Sequence, residues 1–277
     1  MGEGDSCKAI GRFRKSFGFI LIRYSVLFEL TLNQNILLIT GWGGGTKLLA
    51  SLKQALENKG HTVELINIFN ALDLEVLQQQ VDKAKNFDVI MGWSLGGQLA
   101  TLLVDGIEKR YAEQKVLITL ASNPSFVESF VENEEWQTAM DQATFQNFKQ
   151  SFEHDAIATL RKFGFMVCQG TASSKQDFVT LQSLIQPQNL GILKQGLNCL
   201  EQLNTVSILK NYTGHQYHLF AQQDYLVSYK VAENFQKFNA KFLEIELISG
   251  SHGFPIFQFD SITDKICQYL QKIKQTS

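Results

Sequence analysis

The sequence is poor in proline, has no closely spaced cysteines and carries no excess of positive charge. Its three prolines, and the lack of any long polar tract, leave little room for disordered linkers. The four cysteines form no CxxC pair, so we predict no metal site and no disulfides, but free thiols in a reducing compartment. A net charge of −2 argues against a nucleic-acid-binding protein, which is usually basic. The hydrophobic content of 44% suits one large globular domain, with or without an inserted segment.

Residues 1–34 differ from the rest of the chain and are interpreted as an N-terminal extension. The segment RFRKSFGFILIRYSVLFEL (12–30) places basic residues before an apolar run, as a signal peptide does. Arg23 interrupts that run, however, and no small-x-small cleavage site follows. The run is also too short and too charged for a membrane helix. We expect either a β-hairpin added before the main sheet or an appended tail, on a cytoplasmic monomer without stable membrane association.

From residue 35 onward, short apolar runs alternate with amphipathic stretches, which predicts strands and helices in turn. Fully apolar strands in strand–helix units predict a parallel sheet covered by helices on both faces, and hence an α/β fold. The predicted strands are 35–40, 62–68, 87–93 and 115–122, and the helices between and after them are 46–60, 73–85 and 95–111.

After residue 124 the alternation stops. Residues 125–205 contain helical stretches without a convincing strand, and the pattern resumes with strands at 217–223 and 241–248 and helices near 228–238 and at 262–274. We therefore predict a mostly parallel, doubly wound sheet formed by residues 35–124 and 206–277. Residues 125–205 would form a helical lid inserted late in the sheet, over the edge where open α/β sheets bind ligands.

The segment VIMGWSLGGQLA (89–100) contains the most specific motif. It places Gly92, Ser94 and Gly96 in a G-x-S-x-G pattern where a strand is predicted to turn into a helix. A serine at such a tight turn has a strained backbone, so its neighbours two positions away must lack side chains. The helix N-terminus would direct the N–H of Leu95 at a developing negative charge. We predict that Ser94 is a catalytic nucleophile; a helix-capping serine with packing glycines is the alternative.

A nucleophilic serine requires a base and an acid that orients the base. In a fold of this type the acid and then the histidine follow the serine along the chain, each after a strand. Asp224 directly follows one predicted strand, and His252 lies in a glycine-flanked loop after the next. Both are therefore predicted members of a catalytic triad. Four other histidines fit this order less well: His61, His154, His215 and His218.

The glycine-rich turn ITGWGGGTK (39–47) follows the first predicted strand. It fails as a phosphate-binding loop, because Thr46 stands where both the Walker A motif and the dinucleotide fingerprint need glycine. In a hydrolase of this kind the same loop supplies the second backbone donor to the oxyanion. We predict that the N–H of Trp42 faces the substrate oxygen opposite Leu95 N–H, that the indole walls the pocket, and that Lys47 is a solvated helix residue.

With these motifs the sequence resembles the α/β-hydrolases and, among them, the methyl ester esterases that act on pimeloyl-acyl-carrier protein in biotin synthesis. The resemblance extends from about residue 35 to the C-terminus. It implies Ser94, Asp224 and His252 as the triad, Trp42 and Leu95 as oxyanion donors, no cofactor, and lid contacts to the acyl chain. The motifs are Gly41-Trp42-Gly43, Gly92-Trp93-Ser94-Leu95-Gly96-Gly97, Ala121-Ser122-Asn123-Pro124, Phe148-Lys149-Gln150 and Gly170-Thr171 with Gln176-Asp177. The implied acyl contacts are Phe148, Gln150 and Phe152.

The chain departs from that family at Thr40, where the family usually has histidine, and in INIFNAL (66–72), which lacks the usual glycine-rich turn. The resemblance implies hydrolysis of a methyl ester on an acyl-carrier protein. A short-chain acyl esterase or thioesterase with the same triad, and a non-catalytic binding protein with this fold, are the alternatives. By charge count alone residues 136–196 form no basic patch, so a solvated face is the default interpretation. Since the resembling family docks an acidic carrier on its lid, we nevertheless hypothesise that three basic residues contact the carrier or its phosphopantetheine phosphate: Arg161, Lys162 and Lys175.

Overall fold

A parallel sheet forms the centre of the fold. The computed structural model of the protein describes residues 33–128, 130–131, 134–136 and 138–276, so the expectations for residues 1–32 lie outside the described residues. The strands are β1 Asn35–Ile39, β2 Thr62–Ile66, β3 Val89–Trp93, β4 Val116–Leu120, β5 Phe130–Val131, β6 Glu134–Glu135, β7 Gln216–Ala221 and β8 Leu243–Ile248. Six of them pair in parallel in the order β2-β1-β3-β4-β7-β8.

Eleven α-helices are formed by the described residues, and a 3₁₀ turn at Thr46–Leu49 leads into the first of them. The helices are α1 Ala50–Asn58, α2 Leu74–Ala84, α3 Leu95–Tyr111, α4 Gln142–His154, α5 Ala156–Cys168, α6 Ser174–Leu184, α7 Leu190–Gln202, α8 Val206–Asn211, α9 Lys230–Phe235, α10 Phe254–Phe257 and α11 Phe259–Thr276. Within the part of the chain that is described, no helix is both long and apolar enough to span a bilayer.

The central strands are apolar without interruption because both of their faces are covered. Leu37 and Ile39 of β1 point into one buried apolar cluster, whereas Ile36 and Leu38 point into a second cluster on the opposite face. Alternate side chains of a strand face opposite sides of a sheet, so a sheet between two helical layers needs apolar residues at every position. The runs of aliphatic residues that predicted buried strands thus also account for the two-sided core.

The order of the strands changes direction beside β1. The chain passes from β1 outward to β2 and then returns to place β3 on the other side of β1. Such a switch point leaves a crevice at the carboxyl ends of the two strands, where α/β proteins bind ligands. Trp42 follows β1 and Ser94 follows β3, so both residues lie at this crevice.

The helices α4–α8 lie between β4 and β7 in the chain, and residues 125–205, which contain α4–α7, are here called the lid. Aspartate or asparagine side chains accept backbone N–H groups at the first turns of three of them: Asp141 at α4, Asp155 at α5 and Asn189 at α7. The expectation of no strand in residues 125–205 is wrong in one detail, because β5 and β6 form a small antiparallel pair. Strands of two residues are too short to show an alternating pattern in the sequence.

Candidate active site

Ser94 occupies the sharp turn between β3 and α3. Its φ of 54° lies in the left-handed region, which is unfavourable for a residue with a side chain. The backbone N–H of Ser94 donates to Leu120 O at 2.8 Å, and its carbonyl accepts from Gly97 N at 2.9 Å. These bonds hold the strained residue in place at the N-terminus of the 17-residue helix α3.

The glycines around Ser94 are required by close contacts of the backbone. A Cβ atom at Gly92 would lie 2.0 Å from Gly96 O, and one at Gly96 would lie 2.4 Å from both Ile39 O and Thr40 O. Backbone atoms cannot move aside as a flexible side chain can. The G-x-S-x-G pattern is therefore explained by the packing of the turn against β1 and α3.

Asp224 and His252 meet in the structure. His252 Nδ1 lies 2.8 Å from Asp224 Oδ2, and both side chains are almost completely buried. Asp224 Oδ1 accepts the backbone N–H groups of Leu226 and Val227, each at 2.8 Å. Because a carboxylate only accepts, this bond requires a proton on His252 Nδ1, and in the neutral imidazole Nε2 is then the atom with the free lone pair. Among the described residues, no protein group hydrogen-bonds to that buried Nε2 atom.

Trp93, the residue before the serine, orients the histidine. Its indole Nε1 donates to His252 O at 3.0 Å, and the two rings lie 5.5 Å apart. The peptide N–H that follows, on Gly253, donates to Val167 O of α5 at 3.0 Å. Neither contact is predictable from the motif, because both partners are distant in the sequence.

The other histidines lie elsewhere. His154 is exposed at the end of α4, and Asp260, an acidic residue that also follows the serine in the chain, is exposed at the start of α11. Burial lowers the pKa of His61 and of His215, which contact Cys267 and the ring of Phe242 respectively. His218 is completely buried in β7.

The loop Gly41–Gly45, here called the oxyanion loop, packs directly against the turn of Ser94. A Cβ atom at Gly41 would lie 3.1 Å from Ser94 Cβ and 2.9 Å from the ring of Trp93. Among the described residues, neither Trp42 N–H nor Leu95 N–H donates to a protein acceptor. These two N–H groups, one directly after the serine and one in the loop packed against its turn, are therefore candidate donors to an oxyanion.

The lid contributes an apolar cavity of about 320 Å³ beside this loop. Its wall contains Trp42, Phe148, Phe163 and Leu226, the last of which is two residues after Asp224. Of the implied acyl contacts, Phe148 lines the cavity, whereas Phe152 is buried in the core against Trp42 and Gln150 is exposed. The structure therefore brings Phe148 to the cavity but does not bring Gln150 or Phe152 there.

The three basic residues of the carrier hypothesis are all exposed on the lid, Arg161 and Lys162 on α5 and Lys175 on α6. Arg161 and Lys162 line a shallow surface groove together with Phe165 and Phe178, and Lys162 also lines the apolar cavity.

Lys47 is exposed as expected, with its ammonium donating to Ser183 O at 3.3 Å. Cys168, Cys199 and Cys267 are free, and Cys7 lies outside the described residues.

No family model matches the sequence. The chain is 28% identical over 224 residues to a biotin biosynthesis bifunctional protein, BioHC, of Teredinibacter turnerae, a match that covers 74% of this chain but 39% of that protein. It is 26% identical over 249 residues to a pimeloyl-[acyl-carrier protein] methyl ester esterase of Shewanella woodyi, covering 86% of this chain and 94% of that protein. The chain thus spans less than half of the bifunctional relative and nearly the whole of the second one.

Solved structures with the same fold include a bromoperoxidase from Bacillus anthracis, with a TM-score of 0.72 and 14% identity. An esterase from Exiguobacterium antarcticum has a TM-score of 0.65 and 16% identity, and each match covers 86% of this chain and 92% of the other. The comparisons confirm the predicted α/β-hydrolase fold and the resemblance to the pimeloyl methyl ester esterases. The relative named as a methyl ester esterase also bears out the prediction of a carboxylesterase.

Proposed function

We propose that this chain is a serine carboxylesterase that hydrolyses the methyl ester of pimeloyl-acyl-carrier protein. The observation that carries the proposal is the buried pair of Asp224 and His252, in which Nε2 of His252 has no hydrogen-bond partner among the described residues. Ser94, at the turn between β3 and α3, has the strained backbone of a nucleophile on such a turn. The two relatives compared above are named for biotin biosynthesis and for this methyl ester, which supports the choice of substrate.

In the proposed reaction Ser94 Oγ attacks the ester carbonyl and His252 Nε2 takes its proton. Asp224 holds the imidazole in the required tautomer and stabilises the imidazolium. The negative charge on the carbonyl oxygen is stabilised by Trp42 N–H and Leu95 N–H. His252 then gives its proton to the leaving methoxide, methanol departs, and water hydrolyses the acyl-enzyme by the same route in reverse roles.

The apolar cavity supports an acyl substrate rather than a polar one. Its volume of about 320 Å³ and its aromatic wall suit a short aliphatic chain. On the outer side, a groove places Arg161 and Lys162 beside the apolar rings of Phe165 and Phe178, with one carboxylate, Asp155, at the same groove. Two cations against one anion support the docking of an acidic carrier protein. Phe148 is therefore retained as an acyl contact in this proposal, whereas Gln150 and Phe152 are not.

Replacing the nucleophile tests the proposal. Ser94→Ala should lower hydrolysis of p-nitrophenyl butyrate by roughly 10³-fold or more, because the attacking oxygen is lost. The melting temperature should stay nearly unchanged, and labelling by a fluorophosphonate should disappear. Ser51→Ala, an exposed serine on α1, is the matched control and should behave as the wild type. Retention of more than a tenth of the activity in Ser94→Ala would show that another residue attacks.

The substrate is tested by measuring both possible products from pimeloyl-acyl-carrier protein methyl ester. A methyl esterase releases methanol and leaves the acyl chain on its carrier, whereas a thioesterase releases a free phosphopantetheine thiol. We expect methanol without free thiol, together with growth of a biotin auxotroph that lacks its own methyl esterase. Release of thiol would favour the thioesterase alternative, and no covalent label on Ser94 would favour a binding protein.

A further inference from the structure

The connection between α6 and α7, residues 185–189, lies against the oxyanion loop and is here called the linker. Gln186 makes three contacts with the loop region. Its backbone N–H donates to Gly44 O at 3.1 Å, and its side-chain Oε1 accepts the backbone N–H of Lys47 at 3.0 Å and the hydroxyl of Thr46 at 3.5 Å. One residue of the lid therefore holds the middle of the oxyanion loop and the first residues of the 3₁₀ turn that follows it.

Gln188 connects the linker to the start of the same loop. Asn67 Nδ2 donates to Gln188 Oε1 at 2.6 Å, and Asn67 Oδ1 accepts from the hydroxyl of Thr40 at 3.1 Å. Thr40 is completely buried and directly precedes Gly41. The Gln188 amide also lies over Gly45, where a Cβ atom would be 2.3 Å from Nε2. The linker thus reaches both ends of the loop.

The first turns of α7 hold the indole of Trp42. Trp42 Nε1 donates to Leu193 O at 2.8 Å, and a Cβ atom at Gly196 would lie 2.7 Å from the indole Cδ1. The ring is only 2% exposed. The side chain of the residue that carries the proposed donor is therefore fixed by the helix that follows the linker.

The oxyanion loop requires contacts from outside to hold its backbone in one position. Gly43 and Gly45 have φ values of 104° and 76°, and four of the five loop residues are glycine, so side chains of the loop contribute little to its position. An oxyanion donor acts only when it is fixed before the reaction, because a small displacement weakens stabilisation of the transition state. External contacts are needed to fix such a backbone.

We propose that Gln186 and Gln188 are positioning residues that hold the oxyanion loop and set the direction of Trp42 N–H. The lid then takes part in transition-state stabilisation in addition to enclosing the acyl chain. This inference rests on the proposed function, since it concerns the oxyanion of the ester reaction.

The test compares Gln186→Ala, Gln188→Ala and the double variant with wild type on p-nitrophenyl butyrate. We expect kcat to fall by about tenfold in each single variant and further in the double variant, with KM within about twofold, because ground-state contacts of a small ester are retained. Gln195→Ala, an exposed glutamine on α7, is the control and should leave both constants unchanged. Gln186→Glu keeps an acceptor for Lys47 N–H and should recover most of kcat.

An alkyl trifluoromethyl ketone adds a readout that a structural defect would not produce. Its serine adduct carries an oxyanion, so its inhibition constant should rise in parallel with the loss of kcat/KM across the variants. An unchanged kcat in the double variant, or a loss of kcat with unchanged inhibition, overturns the inference while Ser94 still reacts with a fluorophosphonate. Failure of wild type to react with that label instead overturns the proposed function.

Discussion

His218 shows how one buried side chain makes stability depend on pH. Its Nδ1 lies 2.7 Å from the hydroxyl of Thr119, and its Nε2 lies 3.3 Å from Gln216 Oε1. The Gln216 amide nitrogen already donates to Leu209 O and Tyr212 O, so Oε1 is left as the acceptor and His218 donates from Nε2. In the neutral form both ring nitrogens are satisfied, with Nδ1 accepting from the Thr119 hydroxyl. Burial lowers the pKa of His218 to about 3, from an ordinary value of 6.5.

The lowered pKa of His218 predicts acid sensitivity. Between pH 6.5 and about 3 the unfolded chain binds a proton at this residue and the folded chain does not, so stability is present above pH 6.5 and is lost as the pH falls. His218→Asn should be less stable at pH 7, but its free energy of unfolding should fall about 2 kcal/mol less than that of wild type between pH 7 and 5. Urea unfolding at the two pH values measures this.

His154→Asn is the matched control, because it replaces an exposed histidine by the same residue and should leave the difference between the two pH values as in wild type. If the His218→Asn variant lost stability toward pH 5 as steeply as wild type, His218 would not be the group that binds the proton.

At the scale of elements, the end of α5 supports the two loops that carry Asp224 and His252. Val167 O accepts Gly253 N–H at 3.0 Å, and Gly170, with φ of 113°, lies against the carbonyl of Gln223. A Cβ atom at Gly170 would be 2.2 Å from that oxygen. The lid therefore supports the histidine loop and the acid loop as well as the oxyanion loop.

Gly170→Ala should consequently affect both stability and catalysis. The substitution strains a left-handed backbone and displaces the residue before Asp224, so we expect a loss of about 1–3 kcal/mol and a fall in kcat of at least about tenfold. Gly191→Ala, in the first turn of α7, is a lid glycine whose Cβ would approach only the side chain of Asn189. It should have little effect on either quantity, and equal effects of the two substitutions would contradict the role of Gly170. Thermal unfolding and ester kinetics report the two effects separately.

The sequence predicted the elements well where a local pattern determines them. Helix 95–111 was predicted with the bounds that the structure gives, because an apolar strand, a G-x-S-x-G turn and an amphipathic run follow one another there. The contacts of Gln186 and Gln188 could not be predicted, since their partners at Gly44 and Asn67 are more than 100 residues away in the chain. The bond from Trp93 to His252 could not be predicted for the same reason. Thr40 and INIFNAL (66–72), the two departures from the resembling family, are in contact, because the Thr40 hydroxyl donates to Asn67.

At the scale of the whole molecule, the outer face of the lid combines charge with exposed apolar side chains. Ile157 is 82% exposed and Val179 is 63% exposed, on the same two helices as Arg161, Lys162 and Lys175. Asp155 lines the groove with Arg161 and Lys162, and Asp177 lies on the helix of Lys175, so acidic groups offset part of the positive charge. Exposed apolar groups beside charged side chains are typical of a surface that binds a partner. An acidic carrier would be attracted to this face, and salt would weaken the attraction.

Replacing Arg161, Lys162 and Lys175 together with alanine should raise the apparent KM for the carrier-linked ester and remove most of its salt dependence. Hydrolysis of p-nitrophenyl butyrate should barely change. Alanine at Lys59, Lys109 and Lys237, which are exposed outside the lid, removes the same charge and is the control. Equal effects of the lid substitutions on both substrates, or none on either, would indicate a small-molecule esterase.

The position of the lid between β4 and β7 also has a consequence for synthesis of the chain on the ribosome. Strands β1–β4 are synthesised before β7, which pairs with the free edge of β4. About 95 residues separate β4 from β7, so this edge stays unpaired for roughly 5–20 s at usual rates of translation. An apolar strand edge left open for that time can pair with other chains. We expect nascent chains that end before residue 216 to recruit chaperones and to lack esterase activity, which crosslinking and activity assays of stalled ribosome complexes would measure. Because Asp224 and His252 are made last, hydrolysis would begin only when the sheet is complete.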